Sequence, residues 1–159
     1  MVKRKAWKLV KDEGGTLYIL ILVFLFLIIC VMLVTSEVLR VHDLKAHLDD
    51  EIYRAANLSI KTAMYDSYRI DSTSKFDETV AVEYFYTYLK EDLHLNGSFE
   101  KLNDNGEIEY TLVINKVSVN GDTVRMNVRA TAFSPTLFHL WEQKWEIPID
   151  VLSKNIRTD

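Results

Sequence analysis

Five cations, two acids and two glycines stand among the first fifteen residues, and then every position from Leu17 to Val34 is apolar. Eighteen residues of helix rise about 27 Å, close to the hydrocarbon thickness of a bilayer. Thr16, Thr35 and Ser36 extend the uncharged stretch, so the pattern predicts a transmembrane helix over 16–36. A secretory signal has a shorter apolar core, about 7–15 residues, and ends at a small-x-small site. No A-x-A follows Val34, and Val34-Thr35-Ser36 is the nearest substitute, so the segment reads as a retained anchor.

The apolar pattern does not stop at the anchor. No Gly or Pro occurs between Gly15 and Gly97, and apolar residues recur at helical spacing: Val34, Val38, Val41, Leu44, Leu48, Ile52, Ala55, Ala56, Ile60 and Ala63. Charged residues from Arg40 to Lys61 fill the gaps. The spacing predicts an amphipathic stalk helix over 37–70 that continues the membrane helix without a break. Its single apolar stripe needs a cover.

Asp71-Ser72-Thr73-Ser74 reads as a polar linker, and Ser74-Lys75-Phe76-Asp77 resembles a capping box with Asp in the last position. A second helix is expected from there to Leu93, with Val82, Phe85, Tyr86, Leu89 and Leu93 as its apolar face and Tyr84 and Tyr88 widening it. The remainder reads as strands. Asn103-Asp104-Asn105-Gly106 is a turn; it has part of a calcium-loop pattern, but Lys101 stands where the first ligand belongs. Asn120-Gly121 predicts a two-residue type I′ hairpin. Pairing outward from it sets Val119 opposite Asp122, Val117 opposite Val124, Asn115 opposite Met126 and Val113 opposite Val128. One face then holds Val113, Val117, Val119, Val124, Met126, Val128, Ala130 and Ala132.

A last strand, Lys144 to Val151, turns Trp145, Ile147, Ile149 and Val151 to one side, and Pro148 points to an edge strand or a position free of ladder bonding. Ser134-Pro135 before it suits a helix start. Leu137, Phe138, Leu140 and Trp141 follow and form either a core plug or a partner-contact patch. The economical fold is α+β: a long N-terminal transmembrane-plus-stalk helix packed on a small antiparallel sheet, with a second helix. The expected organisation is a basic leader over 1–15, the membrane helix over 16–36, the stalk over 37–70 and an α+β domain over 71–159.

Charge supplies the orientation. Residues 1–13 carry +3, residues 14–36 carry nothing and residues 37–159 carry −7. A basic flank before the span predicts a cytoplasmic N-terminus and an extracytoplasmic body in a single-pass cell-membrane protein. An acidic body argues against a nucleic-acid partner. The only cysteine, Cys30, lies inside the apolar run, so no intrachain disulfide or thiol cluster forms. Ile29 before it is too large for lipoprotein processing.

The chemistry is sparse. His42 and His47 lie about 140° apart around a helix and cannot share a metal. Asp43 and His47 are four apart, a spacing more often solvated than ligating. No G-x-S-x-G, Walker A, G-x-G-x-x-G or C-x-x-C is present. Asn57-Leu58-Ser59 and Asn96-Gly97-Ser98 fit N-x-S. No catalytic residue, cofactor, metal or small-molecule substrate is expected, and the chain does not read as an enzyme.

A basic leader ending in Gly14-Gly15, an apolar helix directly after it, an unbroken amphipathic continuation and a small sheet together resemble the type IV pilin-like proteins. The closest likeness is to the minor pilin-like proteins of tight-adherence (TadE-like) systems. The likeness is specific over residues 3 to about 60. It implies cleavage by a prepilin peptidase after Gly14 or Gly15, and partners that are other pilin-like or assembly-platform proteins besides membrane lipid. Members usually carry glutamate at the fifth mature position; here that position is Ile19 or Leu20. The resemblance therefore implies a minor, priming or unprocessed subunit rather than an abundant fibre-former. The alternative is a membrane-anchored extracytoplasmic binding module unrelated to pili.

Overall fold

A computed structural model describes the backbone over residues 13–71, 77–121, 124–136 and 143–154. The elements are α1 (Glu13–Asp71), α2 (Glu78–Asp92), β1 (Glu100–Leu102), β2 (Ile108–Asn120), β3 (Arg125–Pro135) and β4 (Lys144–Lys154). The fold is α+β, with all strands antiparallel in the order β1-β2-β3-β4. The chain divides into two compact units after Arg40, although α1 itself runs as one helix across that point.

In the first unit the side chains from Leu17 to Val34 are exposed, apart from the half-covered Cys30. The expected stripe is absent here: Val34 and Val38 are exposed. Over this stretch the helix is apolar all round, so its period carries no information about which side is covered.

The second unit holds the core. Leu48, Ile52, Ala55, Ala56, Ile60 and Ala63 of α1 are buried in one cluster with residues of α2 and the inner face of the sheet. The stripe thus begins at the partly buried Val41 and Leu44. Ser59, which the apolar pattern passes over, is fully buried as well. Its hydroxyl donates to Ala56 O at 2.9 Å and lies 3.9 Å from Met126 Sδ, so no polar atom is stranded. Asn57 Oδ1 accepts from Ser153 Oγ at 2.7 Å and ties α1 to β4.

The start of α2 differs from expectation. Asp77 is the N-cap, in extended conformation, and its side chain accepts from Thr79 N and Val80 N. Ser74 lies outside the described residues. Ala81, Phe85 and Leu89 are the buried residues of α2, with Leu93 capping its end; Val82 is only half-buried. Starting the helix at Glu78 places positions 81, 85 and 89 toward the sheet.

The β2–β3 hairpin is present, but not in the register the Asn-Gly pair predicts. Asn120 pairs with Arg125, Val119 with Met126 and Val117 with Val128, leaving four residues in the loop. Gly121 is occupied elsewhere: its N–H donates to Glu78 Oε1 of α2 at 2.9 Å. The shift is even, so Met126, Val128, Ala130 and Ala132 stay on the inner face as expected, all buried.

Val113 does not. The ladder breaks between Ile114 and Lys116, leaving Asn115 as an extra residue whose Nδ2 donates to Thr131 Oγ1 at 2.8 Å. Such a bulge reverses the phase of the strand. Before it Tyr110, Leu112 and Ile114 face inward; after it Val117 and Val119 do. Val113 is 42 % exposed on the outer face.

Asn103–Gly106 is the expected turn. Asn103 Oδ1 accepts from Asn105 N and Glu107 N, and Gly106 sits at a φ of 81°. Ser134 and Pro135 do not start a helix; they end β3, opposite Trp145 and Lys144. The Ser134 hydroxyl donates to Glu109 O at 3.1 Å. β4 is an edge strand, as Pro148 requires, and buries Ile147, Ile149, Val151 and Ser153, while Trp145 is 41 % exposed.

Candidate functional site

Among the described residues one helix is long and apolar enough to cross a membrane. Its surface from Leu17 to Val34 presents Leu, Ile, Val, Phe and Met on every side. Exposed to water, this surface is unfavourable by about 25 cal/mol for every Å² left uncovered, so it requires an apolar surrounding.

Two of the polar residues that follow bond back to the helix. Thr35 Oγ1 donates to Val31 O at 2.8 Å, and Ser36 Oγ donates to Leu33 O at 2.9 Å. Arg40 grips Glu37 through two contacts, Nη2 to Oε1 at 2.8 Å and Nε to Oε2 at 3.3 Å. Glu37 is only 8 % exposed, while Val38 and Leu39 between the pair are 54 % and 57 % exposed.

The second unit offers two polar features. At one, Arg54 of α1 contacts Asp92 of α2 at 3.0 Å and Glu51 at 3.6 Å. Tyr110 of β2 belongs to the same region. Burial, then the nearby Glu109 and Glu51 charges, push its hydroxyl well above the ordinary tyrosine range. At the other, a shallow groove of about 430 Å³ is lined by Lys45, Asp49, Asn115, Arg129, Thr131 and Asp150 among others. Burial raises the Asp49 carboxyl, with Lys45 opposing and Asp50 adding to the shift. Arg129 Nε donates to Asp150 Oδ2 at 3.3 Å. Opposite charges alternate along the groove, so it has no single sign.

Gly14 and Gly15 fall in the first turn of α1, directly after its start at Glu13. Leu137, Phe138, Leu140 and Trp141 lie outside the described residues; Pro135 and Lys144, which flank that segment, border a groove of about 280 Å³. His42 and His47 are both exposed on α1, and His42 Nδ1 comes within 4.0 Å of Asp43. Among the described residues no three His, Cys, Asp or Glu side chains cluster as a metal site. Of the two N-x-S triplets, Asn57 is bonded to Ser153 and its Ser59 is buried. Asn96 accepts from Ser98 N and Glu100 N in an exposed turn. No family model, curated protein or solved structure matches the chain.

Proposed function

We propose that the chain is a single-pass membrane protein with its α+β unit outside the cell membrane, serving as a pilin-like minor subunit or accessory of a pilus or secretion assembly. The carrying observation is α1 itself: an apolar helix exposed on every side in the first unit, running on as the helix around which the second unit packs. An anchor joined by a loose linker needs no such continuity. A helix that serves both lipid and a folded body suits a subunit of an assembly. The basic leader and Gly14-Gly15 support the same reading, as does the excess of acidic side chains after the anchor.

Mass spectrometry of the protein extracted from its native membrane tests the processing step. A new N-terminus at Gly15 or Thr16 supports a prepilin-type substrate; an intact Met1 or Val2 removes that part. Exchanging Leu17–Val34 for an unrelated apolar span of equal length tests the assembly role. Loss of the cross-links between this chain and neighbouring membrane subunits is expected.

A second reading, an anchored module that binds an extracytoplasmic ligand, draws on the groove beside Lys45, Arg129 and Asp150. It predicts that the span exchange leaves function intact, while Arg129→Ala with Lys45→Ala abolishes it.

A further inference from the structure

We infer that the second unit docks onto a second copy of this chain, the outer face of the sheet in one copy receiving the outward ridge of α2 from the other. This deepens the assembly reading above, on which it rests, by naming a contact between copies.

The sheet face is basic in an acidic body. Residues 37–159 sum to −7, so cations are the minority there. β3 buries Met126, Val128, Ala130 and Ala132, which leaves Arg125 and Arg129 exposed on the outer face. Register then sets the exposed Lys116 of β2 directly opposite Arg129, and Lys154 of β4 directly opposite Arg125. Like charges directly opposite on a sheet repel. Asp150, at 3.3 Å from Arg129, is the one acid against these cations among the described residues, and that pair is open to solvent. An anionic surface laid on this face relieves the repulsion.

The complementary surface belongs to the same unit. α2 buries Ala81, Phe85 and Leu89, and its opposite side exposes Glu83, Thr87 and Glu91 at successive turns. Neither acid carries an ion pair among the described residues. Glu83 and Glu91 are eight residues apart, about 12 Å along a helix. The row of Lys116 and Arg129 and the row of Arg125 and Lys154 are four residues apart, about 13 Å along a strand. Long side chains absorb the difference, so each acid meets one row of cations. A featureless polyanion would also be drawn to the cations, but it gives no reason for the matching spacing of the acids.

The ridge and the sheet face lie on the outsides of the helical and strand layers of one core, so a single chain cannot bring them together. Two copies can. The contact uses a different surface on each, and it leaves one ridge and one sheet face free for further copies.

The test uses the full chain with Cys30→Ser in native membranes. Thr87→Cys, between the two acids, is placed on one tagged copy. Ser118→Cys, between the two cation rows and opposite Asn127, is placed on a second copy with a different tag. Mild oxidation is expected to join position 87 to position 118, in preference to 87 with 87 or 118 with 118. Glu83→Lys with Glu91→Lys in the first copy is expected to lower that yield at least about tenfold, because cations then face cations. Lys116→Glu with Arg125→Glu in the second copy is expected to restore it. The latter pair of changes replaces like-charged neighbours with opposite ones, so the thermal midpoint should not fall. The yield between copies with unchanged charges should also drop in about 1 M salt, where screening acts within about 3 Å. Absence of the 87–118 bond, equal yields of all three bonds, indifference to salt, or failure of the second reversal to restore the yield each overturn the inference. If it is overturned while the exchange of Leu17–Val34 still removes cross-links to neighbouring membrane subunits, the assembly reading stands without it.

Discussion

Glu78, the first residue of α2, reaches the loop between β2 and β3 and accepts the Gly121 N–H at 2.9 Å. A Cβ at position 121 lies 3.0 Å from the same carboxylate oxygen. This contact joins α2 to the β2–β3 loop, and it explains why Asn120-Gly121 does not form the two-residue turn its chemistry favours. Glu78→Ala is expected to destabilise the fold by about 1 kcal/mol in urea denaturation, the value of one net hydrogen bond at an exposed site. Gly121→Ala should be destabilising in the wild-type chain and close to neutral in Glu78→Ala, because the atom it crowds is then gone. Simple additivity of the two changes would show that the residues do not interact.

Asn115 is the residue of β2 that its ladder with β3 skips. Its removal restores a regular pairing of Ile114 with Ala130 and Lys116 with Arg129, with no side chain changing face. Deletion of Asn115 is therefore expected to leave a folded protein, about 1 kcal/mol less stable through loss of the bond to Thr131. Deletion of Thr111, by contrast, drives Tyr110 out of the core and should cost at least about 3 kcal/mol. Near-ultraviolet circular dichroism and denaturation midpoints separate the two outcomes.

Arg54 stands between the carboxylates of Glu51 and Asp92, whose Oε2 and Oδ2 atoms are covered and have no hydrogen-bond partner among the described residues. Arg54→Ala leaves two acids facing each other without a counter-charge. A loss of about 1 kcal/mol is expected, moderated by the exposure of the guanidinium, and smaller in 1 M salt. The Asp92→Asn variant should recover part of it in the Arg54→Ala background. No recovery would mean that the arginine acts through packing of its stem.

Tyr110 is buried with its hydroxyl raised above the usual range by burial and by Glu109 and Glu51. The folded state therefore holds this proton at pH values where the unfolded chain, with a tyrosine value of about 10, releases it. Stability from this group is complete below about pH 10 and falls as pH rises beyond it. Thermal melts above that pH should show a decline that is flatter in Tyr110→Phe. An equal slope in both proteins would assign the alkaline loss to other groups.

Much of the fold was legible along the chain. The unbroken apolar run, the helical spacing of Leu48 to Ala63 and the alternation of Met126 to Ala132 and Ile147 to Val151 each report a burial period that local geometry imposes. Those signals determined the elements, the inner face of β3 and β4 and the edge position of Pro148. What failed depended on contacts between distant residues. The hairpin register followed Glu78, 43 positions away from Gly121. The phase of β2 followed a bulge whose sign in the sequence, Ile114 and Val117 both apolar around Asn115 and Lys116, is meaningful only once β3 is in place. The start of the buried stripe at Val41 rather than Val34 followed from where the second unit ends, which the spacing of apolar residues on a helix apolar all round does not encode. Sequence determined which residues seek shelter from water, because that depends on each side chain and its neighbours one turn or one strand step away. Tertiary structure decided which partner shelters them, because that depends on groups brought together only by folding.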